Sequence, residues 1–257
     1  MSDVLVEARG AALWITINRE ERRNAMNDAV VDGISAGLTR AGEDPAIRAV
    51  VLTGVGDRAF CAGADLSAGS GSFQYDYSKV GLPFVKLMKQ ARDLTLPLIA
   101  RVNGHAMAGG LGMVGMCDMA IAADHARFGM PEVKVGIFPM QIMAILQKII
   151  PPRKCYEMAL TGEPIDAAEA LTLGLVNHVV PKAELDAKVD WLLGRLLDKS
   201  PTAIRRGKYA MRQTEALDFD HAAVFMEGQI GTLALTEDAA EGRRAFIEKR
   251  KPDWPGR

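Results

Sequence analysis

The sequence predicts an α/β core followed by a mainly helical region, and three observations carry that prediction. Through the first half, short apolar and β-branched runs alternate with segments of helical periodicity, the pattern of an α/β architecture. From about residue 140 the strand signal disappears and helical patterns dominate. A hydrophobic content of 49% over 257 residues is enough for one large core with an appendage.

Taken in order, DVLVEA (3–8) and ALWITI (12–17) read as strands, and DAVVDGISAGLTRAGED (28–44) as a helix whose apolar residues recur at helical spacing. IRAVVLT (47–53) is the next strand, followed by a helical KVGLPFVKLMKQARDL (79–94) and by strands PLIARV (97–102) and MAIAAD (119–124). The Gly and Ser content of LSAGSGSFQYDYS, residues 66–78, predicts a mobile loop. Helical patterns then cover 142–149, 153–162, 166–174, 184–199, 202–214 and 218–236. No internal repeat is found.

Composition excludes several function classes. A net charge of −1 provides neither a basic footprint for nucleic acid nor a polybasic membrane patch, so a small molecule is the expected partner. Cys61, Cys117 and Cys155 stand in apolar contexts without CxxC spacing, which argues against a zinc site or a disulfide framework and for a reducing cytoplasm. No apolar run approaches the ~18 residues of a membrane span, and the first residues have no signal-like apolar stretch.

VVLTGVGDRAF has the spacing of a dinucleotide fingerprint in Gly54, Gly56 and Ala59, but no helix follows it to offer free N–H groups to a pyrophosphate. GxSxG and HExxH are absent, so serine-hydrolase and zinc-protease chemistry have no foothold. AFCAGADL and NGHAMAGGLGM are more informative. Each puts small residues at a turn where backbone N–H groups can face a pocket, and the second opens a buried helix near Gly109 whose first-turn donors lack intrahelical partners. Two such donors on one oxygen make an oxyanion hole, with glycine and alanine letting a substrate approach the backbone. Close helix packing without a ligand would explain either motif taken alone.

AFCAGADL, NGHAMAGGLGM…CDMAIAADHARFGMPEVKVGI, ALTGEPIDAAEALTLGLVNHVVP and FIEKRKPDW, in that order over nearly the whole chain, together resemble the enoyl-CoA hydratase/isomerase, or crotonase, family. The resemblance implies a crotonase-like spiral of ββα units over 1–195 carrying an acyl-CoA site, and a C-terminal helical region, 196–257, for trimerisation and site closure. It implies acyl-CoA substrates, with coenzyme A entering as part of the substrate and no metal or redox cofactor. Matched position by position, the oxyanion donors are the N–H groups of Ala64 and Gly109. Hydratases of the family carry two glutamates; the second matches Glu132 in FGMPEV, and the first position is Gly112, which has no side chain.

Glu132 stands among Phe128, Met130, Val133 and Val135, where burial is expected to raise a carboxylate's pKa toward the range useful for proton transfer. One carboxylate can still shuttle a proton between carbons, which resembles the isomerases of the family. Met140 and Gln141 stand where hydratases of the family typically have a glycine-rich turn, which is expected to make the pocket bulkier and more apolar. Tyr75, Asp76, Tyr77 or Gln141 could substitute for the missing carboxylate in an atypical hydratase. The resemblance implies a substrate-binding set of Ala62, Asp65 and Leu66 around the first turn and Met140; the role expected first of Asp65 is a hydrogen bond to local backbone. Arg23 and Ala25 in RRNAMN resemble the family's CoA-lining segment, and Lys249 the position near the adenosine end. His105 is expected to be a supporting hydrogen-bond group, and His125, His178 and His221 have no metal-ligand spacing. Ala222, Val224, Phe225, Ile230, Leu233 and Leu235 give the C-terminal region more apolar surface than it can cover alone, so a homotrimer or dimer of trimers is expected. The leading function is an acyl-CoA isomerase or hydratase; a non-catalytic CoA-ester-binding paralogue and a purely structural oligomer are the alternatives.

Overall fold

A computed structural model describes residues 2–68, 77–78 and 80–257. β1 (Val4–Arg9) and β2 (Ala12–Ile17) pair antiparallel and lead to α1 (Asp28–Glu43), whose Asn27 cap accepts a hydrogen bond from the Val30 N–H. Three turns of a spiral follow. Each sends one strand into a large sheet, one into a small sheet, and then a helix. The first turn is β3 (Ala49–Gly54), β4 (Ala59–Cys61) and α2 (Pro83–Asp93); the second is β5 (Leu98–Val102), β6 (His105–Met107) and α3 (Gly109–Gly115). The third is β7 (Met119–Ala123), β8 (Arg127–Gly129), a 3-10 turn at Pro131–Val135, and α4 (Met140–Leu146). Then come α5 (Pro152–Thr161), β9 (Ile165–Asp166), α6 (Ala167–Thr172), β10 (His178–Val180), α7 (Leu185–Leu197), α8 (Pro201–Thr214), α9 (Phe219–Leu233) and α10 (Glu237–Ile247).

The large sheet has the order β1-β2-β3-β5-β7-β10, parallel except for β1, and the small one β4-β6-β8-β9, parallel except for β9. The inner strands of the large sheet, β2, β3, β5 and β7, are apolar on both faces because both are covered. Leu13, Ile15, Val50, Leu52, Leu98 and Ala100 join the main core with α1 and α2. The alternate residues Trp14, Val51, Ile99 and Ile121 pack against Leu185, Val189 and Leu193 of α7.

Two expectations are corrected. Strands do occur after residue 140: β9 and β10 are two and three residues long and each only extends a sheet edge, too short for a period to register. The helix read from Lys79 begins at Pro83, where the fixed φ and missing N–H suit the first helical position. The loop expected at 66–78 lies mostly outside the described residues; Leu66–Ala68 is a 3-10 turn. The boundary expected at 195 falls in the last turn of α7. Beyond it α8 to α10 are held partly by buried Asp238, which accepts from the Ser200 hydroxyl (2.5 Å), the Thr202 N–H (3.1 Å) and the Gly256 N–H (2.7 Å).

Candidate active site

The first turn of the site is shaped by backbone pairing. Met26 N–H donates to the Gly63 carbonyl (2.7 Å) and Asp65 N–H to the Met26 carbonyl (2.8 Å), a parallel bridge opposite Ala64. In such a bridge the intervening residue's own N–H points the other way, so Ala64 offers its donor to the cavity beyond. Gly63 has φ +96°, a conformation suited to glycine. The second donor is Gly109, first residue of α3, whose N–H has no partner within the helix. Ala108 before it is held at φ +52° and gives its N–H to the Gly129 carbonyl at 2.9 Å; strain of this kind costs about 1–3 kcal/mol and persists where the surroundings over-determine it. The two turns abut: a Cβ on Gly63 would lie 2.8 Å from Ala108 Cβ and 3.7 Å from Gly109 N.

Gly104 and Gly110 have a packing purpose. A Cβ on Gly110 would overlap the Cys61 carbonyl oxygen, and one on Gly104 would lie 2.5 Å from the Arg58 carbonyl carbon. Two asparagines that the sequence reading overlooked brace the same strand. Buried Asn24 and Asn103 both donate to the Ala59 carbonyl, at 2.7 and 3.2 Å, and Asn103 Oδ1 accepts from the Gly54 N–H at 3.2 Å. Asn within RRNAMN and VNGH was the available signal. The glycines of VVLTGVGDRAF lead into β4 rather than a helix, which removes the dinucleotide reading.

Ala64, Gly109 and Glu132 line one cavity of about 490 Å³, together with Met26, Ala62, Leu66, Phe84 and the 134–142 wall. Glu132 is carried by the 3-10 turn that Pro131 starts. Its Oε2 is buried without a hydrogen-bond partner among the described residues, and burial raises its pKa above the ordinary carboxylate value, against the smaller opposing effect of its own backbone N–H. An ionised carboxylate oxygen left in this state is costly unless a proton or a ligand satisfies it. Of the neighbours expected to bury it, Phe128 and Met130 are inside and Val135 is exposed, because the turn sits at the cavity edge.

The place at Gly112 is full. A Cβ there would overlap Ile142 Cγ2 and lie 3.3 Å from Phe84 Cζ. Leu66, Met140 and Gln141 line the cavity, Met140 as an exposed rim residue. Asp65 does not line it: its carboxylate turns to Arg19 (2.9 Å) and to the Ser67 hydroxyl (2.6 Å) and N–H (3.1 Å). These contacts, the Ser67 hydroxyl foremost, bring its pKa to about 2. Arg23 and Ala25 are also outside the cavity wall; the Arg23 carbonyl accepts from the Ala62 N–H at 3.1 Å and its side chain is exposed. Lys249, at φ +53° beyond α10, is exposed and away from this chain's cavity. His105 is exposed on β6, its Nδ1 accepting from the Arg127 N–H at 3.2 Å. His125 meets the Asp57 carbonyl, His178 the Trp191 ring and His221 the Asp218 carboxylate. Tyr75 and Asp76 lie outside the described residues; Tyr77 is exposed.

Comparisons of the whole chain with known proteins point to one family. The family model described as enoyl-CoA hydratase/isomerase matches residues 7–257. Enoyl-CoA hydratase EchA19 of Mycobacterium tuberculosis is 37% identical over 260 residues, covering 99% of this chain and 97% of its own. Crotonyl-CoA hydratase of Syntrophomonas wolfei is 33% identical over 253 residues, covering 98% and 97%. The crystal structure of a Mycobacterium smegmatis enoyl-CoA hydratase superposes with a TM-score of 0.93 at 31% identity, covering 98% of each chain.

Proposed function

The chain belongs to the enoyl-CoA hydratase/isomerase family, and from that premise we propose that it acts on enoyl-CoA thioesters through an enolate, with double-bond isomerisation as the preferred reaction. The N–H groups of Ala64 and Gly109 receive the thioester oxygen as negative charge develops on it. Glu132 takes a proton from the α-carbon of a 3-enoyl thioester; the C–H electron pair passes into the enolate. The same carboxyl group returns the proton to the γ-carbon, and the double bond moves from C3–C4 to C2–C3. Atoms balance without water, metal or redox cofactor, and coenzyme A takes part only as the substrate's handle. The observation that carries this reading is the unpartnered Glu132 oxygen in one cavity with both donors, with apolar side chains at the Gly112 position.

Hydration is the second reading, favoured by the hydratase names of the relatives. One experiment separates the two. Incubation with 2-enoyl-, 3-enoyl- and dienoyl-CoA esters, followed by mass analysis, is expected to show positional isomers of unchanged mass; rapid gain of water by a straight-chain 2-enoyl-CoA would reverse the preference. A CoA ester should also bind much more tightly than its free acid in calorimetry. Arg23 and Ala25, beside the Ala62 turn, and Lys249 are proposed for the CoA moiety, with Leu66 and Met140 at the acyl rim. A homotrimer or dimer of trimers is proposed because α9 has no fully buried residue and Val224, Ile230 and Leu235 are exposed, while Ala222, Phe225 and Leu233 are half-buried. Light scattering at micromolar concentration checks it. Three free cysteines, and no helix among the described residues long and apolar enough to cross a membrane, support a cytoplasmic setting.

A further inference from the structure

We infer that Ile142 of α4 determines reaction type by closing the seam between α3 and α4 from which a second acid/base group and its water would reach the acyl chain. The inference rests on the single-carboxylate reading above. Gly112 follows Gly109 by three positions on α3, so its side-chain direction shares the face of the donor that lines the cavity. That direction is occupied: a Cβ on Gly112 would overlap Ile142 Cγ2, with Ile142 Cβ at 3.1 Å and Phe84 Cζ at 3.3 Å. Both Ile142 and Phe84 line the cavity and are almost fully buried, at 2% and 6% exposure.

The obstruction is not one side chain that can swing away. One turn further along α3, a Cβ on Gly115 would lie 3.0 Å from Leu146 Cδ2 and 3.1 Å from Ile145 Cγ2, so Gly112 and Gly115 together let α4 lie close against α3. Ile142 is β-branched and stiff at χ1 in a helix, and Leu146 behind it is fully buried. Leu and Ile walls also give a water no polar partners to hold it there. Water addition bonds water's oxygen to the β-carbon, releases a proton from that water to a base and places a proton on the α-carbon. In a two-carboxylate site both groups share those transfers. Here the second group has no room: Ile142 fills the space that a side chain at 112 would need, so both positions must change together.

The test uses the full chain and four variants: Gly112→Glu, Ile142→Ala, the double variant, and Gly112→Glu with Ile142→Leu, which removes the Cγ2 branch at constant volume. Hydration of a 2-enoyl-CoA, double-bond migration of a 3-enoyl-CoA and the unfolding midpoint are measured for each. Gly112→Glu alone should lower the midpoint by about 5 °C or more, as overpacking does, without gaining hydration. Ile142→Ala alone should gain none either. The double variant should regain much of the lost midpoint and hydrate about tenfold faster or more than either single variant. An unchanged midpoint in Gly112→Glu, or a double variant that migrates double bonds yet hydrates no faster than the singles, overturns the inference. Should Gly112→Glu with Ile142→Ala not fold, Ile142→Leu in the same background, which lacks the Cγ2 branch, must still raise the soluble yield above that of Gly112→Glu alone, and failure to do so also overturns it. Rapid hydration by the unmodified protein would overturn the single-carboxylate reading itself, whereas the variant outcomes bear on Ile142 alone.

Discussion

The two sides of the cavity are built in opposite ways. On the donor side, residues 62–65 and 107–112 are fixed by backbone meeting backbone: Met26 against Gly63 and Asp65, Ala108 against Gly129, and Gly110 against the Cys61 carbonyl. On the base side, residues 131–142, the backbone bonds are local, such as Ile137 N–H to the Glu132 carbonyl at 3.1 Å, and Val135, Ile137 and Met140 are exposed. In the proposed reaction, polarising a thioester oxygen requires the same two N–H positions whatever the acyl chain does next, which fits the tightly packed backbone of that half. The proposed proton-transfer half is instead open to change by side-chain replacement.

The strongest way to break this comparison is Gly110→Ala. Its Cβ would overlap a backbone carbonyl that cannot rotate away, so a loss of about 3 kcal/mol or more is expected, at the upper end of overpacking. Folding and activity should fall together in denaturant titration and assay. The neighbouring Gly109→Val should instead leave a soluble fold, because the only tight approach of its Cβ is to Met26 Cε, at 2.8 Å, the far end of a flexible side chain, and should block thioester binding by filling the cavity that Gly109 lines. Calorimetry with an acyl-CoA checks this, and turnover surviving in that variant would remove Gly109 as a donor. On the base side, Glu132→Gln should keep the fold and acyl-CoA binding while turnover falls by roughly 10² to 10⁴.

A smaller effect contrasts the two carboxylates by pH. Glu132, its pKa raised by burial, can act as the proposed base only when ionised, so kcat/KM should rise through a pKa above the ordinary carboxylate value of 4.5. Its stability linkage has the same origin: the folded state holds this proton more tightly than the unfolded one. As pH rises from 4.5 through the raised pKa, the unmodified protein should lose stability relative to Glu132→Gln. Asp65 on the donor side has the reverse sign. Its pKa is lowered from 3.8 to about 2, so its stabilisation is present above 3.8 and lost as pH falls through about 2. Asp65→Asn should flatten acid unfolding in that window, measured by circular dichroism, with turnover at neutral pH little changed.

These contrasts mark where sequence reasoning reached and where it stopped. That Ala64, Gly109 and Glu132 line one cavity agrees with a reading in which the family resemblance pointed to all three and the small residues before a buried helix pointed to Gly109; their roles are the proposal made above. Asp65's bond to local backbone, accepted from the Ser67 N–H, was legible from its place in GAD, whereas its placement with the substrate residues missed Arg19, 46 positions away, which nothing near GAD indicates. Asn24 and Asn103 went unremarked because each reads locally as a turn residue, and their shared acceptor, the Ala59 carbonyl, exists only once two loops meet.

What the sequence determined by itself was whatever depends on neighbours a few residues apart: apolar runs that become two-faced strands, helical spacing in α1, the Asn27 cap, and glycines where the backbone must turn or approach closely. The tertiary structure decided what each face meets. That Gly112 looks at Ile142 thirty positions later, that β10 completes the edge of the large sheet beside β7, and that Glu132 shares a cavity with donors from two other turns of the spiral all follow from long-range packing. Backbone preference and hydrophobic period act over a few residues, whereas occupancy of a cavity depends on which distant side chains fill the same volume.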